Sequence, residues 1–165
     1  MTAGLNPSST RLRGATPGDI PAIMEIENAS FLHAGERFGE RRVNYLIRSA
    51  RAIVTVAEAG ETQDAGPNVL GWVVGFTWTR TSQPWGRIYA LAIHPGARGR
   101  RLGPLLLEHM IQTLRQQGSK RIFLEVRPDN EVAVRLYEKL GFFLCRVLPD
   151  YYGAGQPAQR MERAV

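Results

Sequence analysis

Three places in the chain hold residues whose types and spacing could do chemistry. The first is Arg98-Gly99-Arg100-Arg101-Leu102-Gly103, set between an apolar run ending at Ile93 and a helically spaced run opening at Leu102. A turn rich in Gly and Arg at a helix N-terminus suits a pyrophosphate. Unpaired backbone N–H groups point at the anion, the helix dipole favours its charge, and Gly permits close approach. A strand-to-helix loop with solvated arginines fits the same residues. The second place is Glu125, a carboxylate in an apolar strand where Ile122, Leu124 and Val126 share one face and Phe123 and Glu125 the other. If buried it is costly without a partner or a purpose, and burial would raise its pKa toward that of a working base. The alternatives are a structural ion pair with Arg121 or Arg127, or a solvated strand end. The third place is Tyr137, on a helix that follows Asn130 and carries Ala133 one turn earlier on the same side. Its phenol can donate a proton, or its ring can be a core aromatic. Asn130 suits a helix cap.

Period and punctuation supply the elements that must hold these residues. Residues 10–15 read as a strand, and Thr16-Pro17-Gly18-Asp19 as a helix start capped by Thr16 or Asp19. Ile20, Ile23, Met24 and Ile26 give a helical stripe down to about Ser30, and a second helix fits residues 40–49 with Val43, Leu46 and Ile47 inward. Residues 52–59 alternate as a strand, residues 60–68 form a loose hairpin loop, and residues 69–79 and 87–94 are further strands. Leu102, Leu105, Leu106, Met110 and Leu114 space a helix over 102–117 that stops at Gly118. A strand over 121–127, a helix over 130–140 capped by Asp129 or Asn130 and closed by Gly141, and strands over 142–148 and 159–165 complete the order. The fold class expected is α/β: a mixed, splayed sheet of about seven strands with helices on both faces.

Length and composition narrow the function. The chain of 165 residues fits one domain over 11–165, with residues 1–10 a flexible tail that does not read as a secretory signal. No apolar run approaches the roughly 20 residues that span a bilayer, so no membrane partner is expected. One cysteine, Cys145, allows no intramolecular disulfide, reads as a half-buried structural thiol, and suits a cytoplasmic setting. The net charge of +6 admits nucleic acid, an acidic surface or an anionic cofactor. The basic residues are scattered apart from Arg98, Arg100 and Arg101, with no zinc-finger spacing and no RNA-binding aromatic signature. Nucleic acid is therefore not the primary partner expected. His33, His94 and His109 share no metal-ligand spacing, so no metal is expected.

Taken together, His94-Pro95, the Arg98–Gly103 turn and Leu105-Leu106 resemble the acetyl-CoA loop of the GNAT superfamily, in which Arg or Gln is followed by two residues, Gly, one residue, then Gly or Ala. Downstream, Leu124-Glu125-Val126-Arg127, Asn130, Ala133 and Leu136-Tyr137-Glu138-Lys139-Leu140-Gly141-Phe142 resemble its second half. Asp150-Tyr151-Tyr152-Gly153 is similar to the tail of one branch, the ribosomal-protein-alanine N-acetyltransferases. Two departures stand out: Arg101 replaces the first Gly usual in the loop, and Pro104 after the second Gly has no N–H to donate.

The resemblance implies acetyl-CoA as cosubstrate. Arg98, Gly99, Arg100, Arg101, Leu102, Gly103 and Pro104 would face its pyrophosphate, backbone groups of Leu91, Ala92 and Ile93 its pantetheine arm, and Asn130, Ala133 and Tyr137 its remainder. The strands flanking the cofactor would splay to admit the thioester. The reaction implied is direct attack of a primary amine on the thioester carbonyl, with Glu125 as base and Tyr137 as acid for the leaving thiolate. Phe31, Tyr151 and Tyr152 would line the acceptor groove, although Phe31-Leu32-His33-Ala34 lacks the Phe-Pro-Trp-like stretch common in that branch, and the two tyrosines could instead be aromatic filler. The acceptor expected is a protein or peptide N-terminal α-amine, with a small-molecule amine or a protein lysine as alternatives. A non-catalytic acyl-CoA-binding module would keep the Arg98 loop and lose the catalytic pair. The presence of both Glu125 and Tyr137 argues against it.

Overall fold

The computed structural model describes residues 10–31, 37–60 and 68–165; residues 1–9 of the expected N-terminal tail and most of the 60–68 loop lie outside them, while Thr10 opens the first strand. In chain order the elements are β1 Thr10–Gly14, α1 Ile20–Ser30, α2 Glu40–Arg48, β2 Ala52–Ala59, β3 Val69–Trp78, β4 Trp85–Ile93, α3 Leu102–Gln116, β5 Arg121–Val126, α4 Glu131–Lys139, β6 Phe143–Leu148 and β7 Ala158–Ala164. The strands form one seven-stranded mixed sheet of order β1-β2-β3-β4-β5-β7-β6. β4 and β5 run parallel, in a register that ends at Arg87↔Phe123, while β7 pairs antiparallel with both β5 and β6. The last strand in sequence thus lies inside the sheet, and β6 is left at its edge.

Two details differ from the sequence reading. β4 opens at Trp85, two residues before the expected start, because the Trp85 indole stacks on Trp78 at 4.0 Å and meets Phe123 edge-on at 5.8 Å. β2 does not alternate: Val54, Thr55, Val56 and Ala57 are buried in succession, as in a strand covered on both faces.

Chain contacts divide the molecule into two compact units, residues 1–74 with 90–107 and residues 75–89 with 108–165. In the first unit, Ile23, Ile26, Val43, Leu46, Val56 and Trp72 are buried. Helices lie on opposite faces of β3. The α1 residue Glu27 meets the Trp72 indole, whereas Leu106 of α3 lies on the face of Gly71, where a Cβ would come within 3.1 Å of the leucine and 2.7 Å of Ile93. The start of α1 is held by Asp19. Its carboxylate accepts from the Thr16 N–H at 2.7 Å and from both ends of the Arg13 fork at 2.8 Å. That guanidinium, before any other cause, holds the Asp19 carboxyl below its usual range. In the second unit, Met110, Leu114, Ile122, Leu124 and Met161 are buried. There α3 lies so close to the strands that a Cβ at Gly75 would meet the Met110 sulfur at 2.5 Å. Among the described residues no helix is long and apolar enough to cross a membrane, and no group of three or more His, Cys, Asp or Glu is assembled to hold a metal.

Candidate active site

The Arg98 loop belongs to the first unit. β4 ends at Ile93, the His94 N–H donates to the Leu70 carbonyl, and a 3-10 turn over Pro95–Ala97 follows, which the sequence did not suggest. His94 shapes that turn: its Nδ1 accepts from the Gly96 N–H at 3.0 Å, leaving the proton on Nε2, which faces Glu25 at 3.6 Å. Beyond it Gly99 (φ 78°) and Arg101 (φ 60°) take left-handed backbone. The position where the resembling loops hold Gly therefore demands a conformation that glycine adopts freely and arginine only with strain. The Arg101 carbonyl accepts the first helical bond of α3, from Leu105 at 3.2 Å. Among the described residues the N–H groups from Gly99 to Gly103 have no partner in any turn or cap, so the helix opens on a row of free donors. Pro104 contributes none, but it stands within the first turn, where α3 tolerates it. Arg98, Arg100 and Arg101 are exposed, and Arg100 leans back on the Gly96 carbonyl at 3.3 Å. Of the residues expected along the pantetheine arm, Leu91 and Ile93 are half-buried and Ala92 is buried. The Ile93 carbonyl already accepts from the Ser30 hydroxyl at 3.2 Å.

The same unit holds a carboxylate that the sequence reading passed over. Glu27 is 0% exposed; one oxygen accepts from the Trp72 indole at 3.0 Å and the other from the Phe38 N–H at 2.9 Å. Burial pushes its carboxyl up, against the pull of those two donors. The signal was present: Glu27 sits four residues after Ile23 on the buried stripe of α1. Phe31 ends that helix half-buried, and Leu32, His33 and Ala34 lie outside the described residues.

In the second unit Glu125 sits on β5 as the period-two reading required, and its side chain is only 4% exposed. Its partners are not the expected Arg121 or Arg127. Arg87 of β4 donates its Nε to Oε2 at 2.9 Å, and Arg160, directly opposite on β7, donates its Nε to Oε1 at 3.0 Å. Arg121 instead reaches Gln83 and covers the Phe123 ring; Arg127 reaches Gln156 and covers the Tyr152 ring. The terminal nitrogens of Arg87 and Arg160 add contacts of 2.9 and 2.8 Å to the same two oxygens. These contacts use most of the carboxylate's acceptor capacity. Sequence reasoning missed both arginines, although Arg87 stood out as a cation between Trp85 and Tyr89 on one face of β4.

Tyr137 projects from α4, its ring edge-on to Phe142 at 6.1 Å. Burial pushes its phenol up to about 12, and its hydroxyl has no hydrogen-bond partner among the described residues. Asn130 is the cap of α4, its side chain accepting from the Ala133 N–H at 3.3 Å, so that donor is occupied. Tyr151 is 41% exposed, and its hydroxyl accepts from Arg87 at 2.6 Å. Tyr152 is half-buried between Tyr151, edge-on at 4.9 Å, and the Arg127 guanidinium at 4.3 Å. Tyr151 and the Glu125 ion pairs thus form one connected cluster. Cys145 departs from the half-buried thiol expected: it is exposed on the edge strand, where it donates to the Arg160 carbonyl at 3.3 Å.

Residues 20–142 match the profile of the Acetyltransferase (GNAT) family. A mycothiol acetyltransferase of Mycobacterium sp. (strain MCS) is 32% identical over 140 residues, covering 82% of this chain and 46% of that protein. The ribosomal protein bS18-alanine N-acetyltransferase of Salmonella typhimurium is 39% identical over 69 residues, covering 42% of this chain and 47% of that one. The matches therefore span less than half the length of either relative. The crystal structure of Arabidopsis thaliana NAA60 in complex with acetyl-CoA superposes with a TM-score of 0.83 over 95% of this chain and 99% of that one; at 15% identity this is a likeness of fold.

Proposed function

Because the chain belongs to the GNAT acetyltransferase family, we propose that it moves the acetyl group of acetyl-CoA directly to a primary amine, and that the amine is the N-terminal α-amine of a protein or peptide. We read residues 11–165 as one acetyltransferase domain. Tyr137 is the observation that carries the proposal: a half-buried ring with an unpartnered hydroxyl, held protonated well above neutral pH. That is the condition of a donor waiting for an anion to form beside it.

In the reaction the free amine attacks the thioester carbonyl carbon. The C–N bond forms, the tetrahedral intermediate collapses, and the C–S bond breaks. The thiolate takes the Tyr137 proton, and the phenol recovers one from solvent. The nitrogen's surplus proton passes through a water to Glu125, whose direct approach is crowded by Arg87 and Arg160. An α-ammonium has a pKa of about 8, so a mild base suffices. The free N–H groups from Gly99 to Gly103, with the Arg98 and Arg101 side chains, hold the pyrophosphate. Asn130 fixes the start of α4 and thereby the position of Tyr137.

A second reading, transfer to a small-molecule amine, is favoured by the mycobacterial relative, whose similarity covers more of this chain than the Salmonella protein's does. Thiol release measured with acetyl-CoA separates the two. The panel is peptides of varied first residue, peptides blocked at the N-terminus but carrying Lys, and polyamines. Turnover with free-N-terminus peptides supports the first reading, and turnover confined to small amines replaces it with the second.

A further inference from the structure

The sheet face that carries Glu125 holds more positive charge than its ion pairs consume. In the register Glu125 lies opposite Arg160, and Arg160 lies opposite Arg146 of β6. Paired residues project from the same face, so these side chains form a row across three strands, which Arg87 joins from β4. Glu125 takes Arg87 and Arg160. Arg146 is exposed and has no ion-pair or hydrogen-bond partner among the described residues. Like charges directly opposite each other weaken an antiparallel pair, so sheet formation gives no reason for Arg146 to face Arg160. Arg127 adds another guanidinium above Tyr152, and Glu162 adds a carboxylate two residues along from Arg160. Arg146 is thus positive charge on this face that the Glu125 ion pairs do not take up. α3 lies against the other face, through Met110 at Gly75 and Leu114 at Gly86. The Arg87 and Arg160 side chains are 25% and 35% exposed, with Tyr151 beside them.

Resting on the proposed transfer to an α-amine, we propose that this row selects the acceptor: a peptide N-terminus with Asp or Glu among its first residues, whose carboxylate bridges Arg146 and Arg160. Guanidinium forks match carboxylates bidentately, and the Glu125 carboxylate already takes two forks in the same row. The row crosses strands spaced about 5 Å apart, so Arg146 and Arg160 on adjacent strands stand within reach of one carboxylate side chain.

The test compares kcat/KM for two free-N-terminus peptides, identical except for Asp-Glu or Lys-Lys at the second and third positions. The acidic peptide should be preferred by about tenfold or more, the scale of one charge-assisted contact, and rising salt should shrink the preference. R146E, at an exposed position, should reduce the preference below about threefold or invert it, as one repelled carboxylate requires, with acetyl-CoA binding retained as the check on folding. Equal turnover of the two peptides, or an unchanged preference in R146E, would overturn this inference and leave the α-amine reading standing. If neither peptide reacts while a small amine does, the α-amine reading falls and takes this one with it. An oligonucleotide that competes better than the acidic peptide's acetylated product would also overturn it.

Discussion

A phenol whose pKa is raised by burial alone gives up its proton only when a strong anion forms next to it, and a thioester in the act of cleaving makes such an anion. Tyr137→Phe keeps the ring against Phe142 and removes the donor. The expected result is a kcat lower by roughly 10²-fold with acetyl-CoA affinity nearly unchanged, read by steady-state kinetics and calorimetry. Wild-type turnover in a folded variant would make Tyr137 a packing residue. Glu125 poses a different problem, because two guanidinia already hold it. Glu125→Gln puts an amide N–H₂ in front of one of them. Activity should fall at neutral pH and recover in part at alkaline pH, where the amine deprotonates itself. A pH–rate profile parallel to wild type would leave Glu125 as the clasp of Arg87 and Arg160 and no more. The face Glu125 occupies was legible in the sequence, since period-two alternation decides it locally. Its partners were not. Arg87 comes from the parallel neighbour β4 and Arg160 from β7, which enters between β5 and β6; no local signal encodes either pairing, and the nearer arginines found aromatic rings and glutamine side chains instead.

At the scale of elements, the turn into α3 sets conformational ease against affinity. Arg101 holds a left-handed backbone at a cost of about 1–2 kcal/mol and presents an exposed guanidinium beside the free N–H row. Arg101→Gly should therefore move two measurements in opposite directions. Stability to urea should rise by up to about 1 kcal/mol, since glycine's extra freedom in the unfolded chain offsets part of the relief. Affinity for CoA should fall by about 1–2 kcal/mol, the scale of one lost charge-assisted contact. A variant that loses both stability and affinity would mean that the arginine side chain itself holds the turn. The sequence disclosed the residue substitution at this loop, but not that the backbone keeps the glycine conformation beneath it. In α1 the buried Glu27 predicts a pH dependence. Its folded pKa lies above the ordinary 4.5, so its contribution is fully present below that value and is lost as pH rises through the folded one. Glu27→Gln should lack this downward slope. It should also be less stable than wild type by about 1–3 kcal/mol at low pH, because one amide cannot accept from both Trp72 and Phe38. Urea titrations across the acid range compare the two slopes, and parallel slopes would show that Glu27 ionises as freely in the fold as out of it.

For the whole molecule, the charge balance of +6 bears on what it can accept as well as what it binds. An anionic cosubstrate is drawn toward such a chain, and a cationic acceptor is repelled by it, so an amine that is easily neutral has the advantage. An α-ammonium with a pKa near 8 is cheaper to deprotonate than a lysine ammonium near 10.4, by about 3 kcal/mol. Two otherwise identical peptides make the comparison, one with a free N-terminus and no Lys, the other blocked at the N-terminus and carrying a single Lys. At neutral pH the free-N-terminus peptide should react at least about tenfold faster in kcat/KM, a conservative share of the deprotonation gap. The advantage should narrow as pH approaches the lysine pKa, because the pool of neutral lysine then grows while that of neutral α-amine has saturated. A preference for the blocked Lys peptide at neutral pH would remove the α-amine assignment and keep the acetyl transfer. A preference that does not change with pH would place the discrimination in acceptor binding rather than in proton removal, and would direct attention to the arginine row and Tyr151.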